Sequence, residues 1–392
     1  MKGEFKSGLC AAVLGIVCGG GAAMGQVDPV LAAWEQNLTG QHGRSTSPTL
    51  NGPLSLIIAN VQQVRYTDAN SYINATGIPD YNIGPWPSNP NTATNQNTLA
   101  RFPRAPQVQT GTKTATGLGA IGLMVDGTQI FNATDARSYQ NRNVWHQDAV
   151  VVEGASFDSA LGHPSPMNAY HYHGQPRTLR SEMGDDGSHH SPILGYAFDG
   201  FPIYGPYGYA NANGTGAITR MTSGYRKRSI TTRTTLPNGT VLAAANYGPA
   251  VSTQYPLGYY LQDYEFVAGM GTLDVYNGRV CVTPDYPTGT FAYFVTIDAA
   301  GNSQFPYILA LSYYGVVAAD NTSRTVTVPP GANRYLPCAA DYNGDGGIDG
   351  GDIEPFFDDW SEGLNRADVN DDGGIDGSDV EEFFRVWTAG GC

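Results

Sequence analysis

A mainly β body, an antiparallel sandwich or barrel-like assembly, followed by a small α-helical module is the architecture this sequence predicts. Three observations predict it. Glycine (50) and proline (25) are abundant among the 392 residues, which favours short strands and tight turns over long helices. Tyrosine is plentiful (24) while charged residues make up only 14%, so aromatic side chains dominate the candidate core. The composition then changes abruptly at Cys338. Segment 338–392 carries 15 acidic and 2 basic residues, hence −13 of the formal −14. The rest of the chain is close to neutral and shows no basic patch, which excludes a nucleic-acid partner on charge grounds.

Residues 1–25 read as a secretory signal peptide. Lys2 and Lys6 precede an apolar run from Leu9 to Val17, and Ala23-Met24-Gly25 offers small residues before Gln26. The run is well short of the ~20 residues of a spanning helix, and Val17 before Cys18 fits a lipobox poorly. The expected location is therefore secreted, extracellular or cell-surface associated, with no transmembrane segment. Cleavage would remove Cys10 and Cys18 and leave Cys281, Cys338 and Cys392. Cys338 and Cys392 bracket the acidic tail, which in an oxidising compartment points to a disulfide joining its ends. Cys281 reads as a buried thiol on a strand.

Residues 26–49 are polar and read as a flexible leader, with His42 solvated. A body over 50–318 begins with two strands, Leu54–Ile58 and Val61–Tyr66. The prolines and asparagines of 78–97 exclude regular structure, while Ile78, Tyr81, Ile83 and Trp86 call for packing on the core. Asp126-Gly127 marks a hairpin turn. Residues 195–205 carry turns at Asp199-Gly200 and Tyr204-Gly205, and 211–250 is a Thr/Asn/Gly-rich surface excursion. Phe291–Ile297 and Phe305–Val317 read as strands. Residues 319–337 hold a last short strand, Thr325–Val328, and a linker.

The main chemical signal of the body is Tyr170-His171-Tyr172-His173-Gly174. Alternation along a strand puts His171 and His173 on one face and Tyr170 and Tyr172 on the other. Two imidazoles so placed can converge on one ion, and neutral imidazole suits copper or zinc. Of only seven histidines, His146, His163, His189 and His190 lie nearby. The expected ligand set is His171 and His173 with His163 or His190, and Asp199 as an oxygen ligand or orienting group. His189, beside His190, is expected in solvent. The clustered carboxylates Asp185, Asp186, Asp263, Glu265 and Asp274 read as turn and loop formers. Residues 26–337 contain only Glu35, Glu153, Glu182 and Glu265, and no GxSxG or phosphate-cradling glycine loop occurs.

The tail repeats a twelve-residue calcium-loop pattern. In the first loop the ligands are Asp341, Asn343, Asp345, the Gly347 carbonyl, Asp349 and Asp352. In the second they are Asp368, Asn370, Asp372, the Gly374 carbonyl, Asp376 and Asp379. Gly346 and Gly373 permit the sharp turn at position 6, and each loop runs into an amphipathic helix, 353–360 and 380–387. Two calcium ions are therefore expected.

Two loops, each followed by one helix, resemble a dockerin, and Cys338 with the closing Gly390-Gly391-Cys392 resembles the tails of GC-type dockerins. That resemblance implies attachment to a cohesin-like or cell-surface partner. The body, over roughly residues 50–318, resembles the YHYH domain family of secreted proteins. The residues that carry this likeness are Ile78-Pro79-Asp80-Tyr81, Trp145-His146, Gly162-His163-Pro164, the central 170–174, the run 190–205, Asp263-Tyr264-Glu265, 273–279, 283–287 and Phe305-Pro306-Tyr307. The family resemblance implies little chemistry.

Two functions of different class follow. One is an extracellular metalloenzyme, hydrolytic with zinc or oxidative with copper, with His190 or Glu265 as base. The other is a non-catalytic module that binds polysaccharide or matrix, with packing histidines; an exposed row of Tyr204, Tyr207 and Tyr209 would favour it. The balance lies with metal binding, turnover left open.

Overall fold

A computed structural model describes residues 28–343, 348–364, 367–370 and 374–389. The signal segment, the loop positions Asp345, Gly346, Gly347, Asp372 and Gly373, and Cys392 with its expected link to Cys338 lie outside the described residues. Strands β1 (Val61–Tyr66), β2 (Asn70–Ala75), β3 (Thr98–Pro103), β4 (Ala120–Met124), β5 (Gln129–Phe131) and β6 (Thr134–Ser138) come first. They are followed by β7 (His146–Asp148), β8 (His163–Pro164), β9 (Tyr170–Tyr172), β10 (Ile193–Ala197), β11 (Pro202–Tyr204) and β12 (Tyr207–Tyr209). The last are β13 (Ile218–Arg220), β14 (Tyr225–Lys227), β15 (Tyr264–Phe266), β16 (Gly278–Cys281), β17 (Thr290–Phe294) and β18 (Asn333–Tyr335). The helices α1 (Pro29–Ala32), α2 (Pro48–Leu54), α3 (Ala149–Glu153), α4 (Arg177–Glu182) and α5 (Ala319–Ser323) are short; α6 (Ile353–Glu362) and α7 (Gly377–Ala389) close the chain.

The protein is mainly β, as predicted, in several sheets with no closed barrel. A four-stranded antiparallel sheet runs β18-β1-β2-β3, and an eight-stranded sheet runs β16-β17-β11-β10-β4-β5-β9-β8. The larger sheet is mixed, because β11–β17 and β5–β9 pair in parallel. Aromatic side chains join the two sheets. Phe102 of β3 meets Tyr196 of β10, and Trp34 lies against both, at ring distances of 5.2–6.1 Å.

A parallel pair needs a crossover connection. Between β5 and β9 that connection holds β6, β7, α3 and β8, so residues 132–169 return to the sheet edge beside the histidine strand. The β4–β5 hairpin turns at Asp126-Gly127, where Gly127 takes φ +80° and Asp126 Oδ1 accepts Thr128 N at 2.8 Å. Irregular segment 78–97 is packed as expected, and Asp158 fastens it. Its carboxylate accepts Gly84 N (2.7 Å), Trp86 Nε1 (3.0 Å), Ala160 N, Gly162 N and Tyr170 Oη. Cys281 is a free buried thiol at the end of β16.

Four expectations are corrected. The stretch 28–49 is not a flexible leader: Val30, Leu31 and Trp34 are buried in the core, although His42 is exposed. Leu54–Ile58 is no strand, because Pro48 starts a helix that ends at Leu54, and Leu56 is 82% exposed. Segment 305–317 is irregular, since Tyr307 adopts φ +74° and leaves extended backbone; it is buried over 305–310, while Leu311 and Val316 are exposed. The last body strand is not Thr325–Val328 but Asn333–Tyr335, which pairs with β1 beyond the Pro329-Pro330 break.

In the tail, Phe356 of α6 stacks on Phe383 of α7 at 4.1 Å. The cross-links between the two repeats are reciprocal. Trp360 Nε1 donates to the Asp376 carbonyl (2.8 Å), and Trp387 Nε1 to the Asp349 carbonyl (3.0 Å). Asp352 accepts Asn343 N and Asp349 N, and Asp379 accepts the corresponding Asn370 N and Asp376 N. No helix among the described residues is long and apolar enough to cross a membrane.

Replacing Asp158 by Ala strands several buried donors without an acceptor. The expected loss is about 3 kcal/mol or more in urea unfolding; a change below about 1 kcal/mol would mean that Asp158 does not hold the irregular segment.

Candidate metal centre

Strand register builds the site. In the antiparallel β8–β9 pair His163 stands directly opposite His171, and residues in that relation share a face. His173, two residues on, adds a third imidazole to the same face. The tyrosines occupy the other face, as alternation predicts: Tyr172 Oη lies 2.6 Å from Tyr81 Oη, and Tyr170 Oη donates to Asp158. On the other side of β9, Phe131 of β5 stacks on His171 at 3.9 Å between ring centroids and holds that ring in place.

The three Nε2 atoms converge. His163 to His171 and His171 to His173 are each 3.1 Å apart. Tautomers follow from the opposite ring nitrogens. His171 Nδ1 lies 3.0 Å from the Ala169 carbonyl and His173 Nδ1 2.6 Å from the Asn132 carbonyl. A carbonyl only accepts, so both Nδ1 atoms carry the proton. His163 Nδ1 lies 2.7 Å from Ser156 Oγ, whose single hydrogen goes to the Glu153 carbonyl, also at 2.7 Å. Ser156 therefore accepts from His163 Nδ1. In the neutral imidazoles all three Nε2 atoms are bare lone pairs facing one another, and they cannot hydrogen-bond among themselves.

Lone pairs arranged this way repel unless a cation lies between them. Two nitrogens bound to one tetrahedral ion at about 2.0–2.1 Å would stand roughly 3.3 Å apart, close to the spacing found. Outer partners at every Nδ1 also match the way metal-ligating histidines are oriented. A proton is a poorer occupant, because burial opposes charge on the rings. It pushes the His163 pKa down to about 4, helped by His173 and opposed by Glu153. The same burial, with His173 and His163 adding to it, holds His171 well below the usual range. Among the described residues, His163, His171 and His173 form the one group of three such side chains able to share an ion.

The histidines open into a cleft of about 750 Å³, lined by neutral polar side chains such as Asn91, Thr134 and Gln147 and by Asp135 and Glu153. Glu153 Oε2 is 3.2 Å from His173 Nε2 and 3.6 Å from His163 Nε2. The pKa of its neighbour Asp135 is raised, by burial first and then by Glu153. Glu153 was missed in sequence because a lone glutamate after Val150-Val151-Val152 carries no spacing signal. It reaches the site through the fold, as the last residue of α3.

His190 and Asp199 do not join the group. His190 packs among Tyr204, Tyr209 and Phe294, with Nδ1 on the Ser191 carbonyl at 2.8 Å. Asp199 is fully buried in the β10–β11 turn and accepts Tyr293 Oη (2.7 Å) and Gly315 N (2.8 Å); burial still raises its pKa to about 6. The row Ala197–Gly122–Ile130–Tyr172 shows that this turn leaves the sheet at the same end as His173. Strands β4 and β5 stand between, a gap of roughly 14 Å at normal strand spacing, too wide for one ion. Glu265 pairs with Arg226 at 2.9 Å and lines a different cleft with Tyr225 and Tyr264, so neither candidate base is at the histidines. Tyr204 is buried, which removes the exposed aromatic row. His189 is exposed, as expected.

The sequence model of a family described as YHYH protein matches residues 99–306. The match is shorter than the 50–318 expected and leaves Ile78-Pro79-Asp80-Tyr81 outside it. No curated protein and no solved structure matches the chain.

A depressed histidine pKa means that the unfolded chain binds the proton more readily. Stability of chelator-treated protein is then full above pH ~6.5 and falls as pH drops towards 4. His163 alone contributes about 3 kcal/mol to that fall. Urea midpoints measured across this window should decline steeply in the parent and less in a His163→Gln variant. Equal slopes would contradict the buried neutral state.

Proposed function

The chain belongs to the YHYH protein family, and we propose that it is an exported metal-binding protein whose body holds one copper or zinc ion at His163, His171 and His173. The observation that carries this reading is the set of three Nε2 lone pairs, each fixed by a partner on Nδ1. Packing histidines would offer Nε2 to a donor, and among the described residues none of these three Nε2 atoms is set against one. Bound there, the ion would supply Lewis-acid or redox chemistry. The chain's own residues orient the rings. Turnover on extracellular material is a second reading, favoured by the cleft that reaches the histidines.

The tail is proposed as a calcium-dependent attachment module of dockerin type, closed by a Cys338–Cys392 disulfide and directed at a cohesin-like or surface partner. Support comes from the duplicated loop pattern and from the reciprocal tryptophan bonds between repeats. Polysaccharide binding by an exposed tyrosine row loses its support with Tyr204 buried.

Elemental analysis of the exported protein, purified without chelator or immobilised metal, tests the assignment. About one copper or zinc and two calcium ions per chain are expected. A His171→Ala/His173→Ala variant should lose the transition metal and keep calcium. A parent that takes up no transition metal on reconstitution sinks the reading.

A further inference from the structure

We infer that Glu153 is a fourth protein ligand of the ion held by His163, His171 and His173, and that an entering molecule reaches the ion by displacing it. This rests on the three-histidine reading and adds to it the group that controls access. Glu153 Oε2 lies 3.2 Å from His173 Nε2 and 3.6 Å from His163 Nε2. Donors around one four-coordinate ion stand roughly 3.3 Å apart, and the carboxylate stands near that spacing from two of the three histidines. The alternative, a hydrogen bond from imidazole to carboxylate, requires a doubly protonated, charged ring in a buried site. Both rings hold their proton on Nδ1, turned away towards Ser156 and the Asn132 carbonyl. Four acceptor atoms are left facing one another, and a shared cation reconciles them.

The backbone supports the same assignment. Asp148 caps α3 by accepting Val150 N at 3.1 Å, and its other oxygen accepts Tyr307 Oη at 2.7 Å, which anchors the turn that ends in Glu153. The Glu153 carbonyl accepts the Ser156 hydroxyl that in turn accepts from His163. One residue thus holds the back of a histidine through its main chain while its carboxylate faces the front of two. Asp135 lines the cleft wall beside that carboxylate. Side-chain exposure ranks the ligands: Glu153 is 31% exposed against 5–6% for His173 and His163. The glutamate is therefore the exchangeable ligand on the cleft side. With Glu153 in place, a four-coordinate ion carries no water.

Cobalt(II) is a direct probe, because its visible bands report coordination number and donor set. The full-length protein, depleted of transition metal and reloaded with cobalt, should show intense four-coordinate bands and bind azide weakly. Glu153→Gln, which keeps the shape, should still take cobalt at the histidines. Its bands should be altered, its cobalt affinity lower by on the order of 10- to 100-fold, and its azide affinity higher. Glu153→Ala should repeat this pattern. Identical bands, cobalt affinity and azide affinity in parent and variants would remove Glu153 from the ligand set while leaving the three-histidine centre standing. A parent that binds no cobalt overturns the centre and this inference together.

Discussion

Three imidazole Nε2 atoms converge in a buried site, His171 3.1 Å from each of the other two, with their Nδ1 protons turned outward. The surrounding structure serves that constraint. The β8–β9 register sets His163 against His171, Phe131 covers one ring, and the carbonyls of Ala169 and Asn132 fix two tautomers. Behind the strand, Tyr170 and Tyr172 are locked to Asp158 and Tyr81. The strand can then neither twist nor slip by one residue, a shift that would turn the histidines into the core and the phenols into the cleft.

Sequence alternation made part of this legible. The face shared by His171 and His173 follows from period two, and the Asp126-Gly127 turn from its dipeptide. The choice between His163 and His190 could not be made, because it depends on strand order. The crossover returns residue 163 to the edge beside β9, whereas β10 lies beyond β4 and β5. Asp199 misled for a similar reason: its carboxylate is consumed by Tyr293 and Gly315, both distant in sequence. Glu153 was invisible because its place is set by α3, a single capped turn inside that crossover. In the fold, β1, β17 and the buried irregular 78–97 were read correctly. Segments 28–49 and 305–317 were not, since burial there comes without regular backbone.

The two parts of the chain carry different donor sets. The near-neutral body gathers imidazole nitrogens, which suit copper or zinc, while the tail concentrates carboxylates and amides, which suit calcium. In the tail, each repeat's tryptophan binds the other repeat's loop, so the two loops are tied into one unit. Around the histidines, a cleft of about 750 Å³ reaches the three rings, and Glu153 stands on that path.

The central claim is that one ion is bound by these three histidines. X-ray absorption at the edge of the copper or zinc retained by the purified full-length protein tests it most directly. The account predicts a shell of light donors at about 2.0–2.1 Å with the outer-shell scattering of three imidazoles. An oxygen-only shell without imidazole scattering would place the metal on the acidic tail and contradict the account.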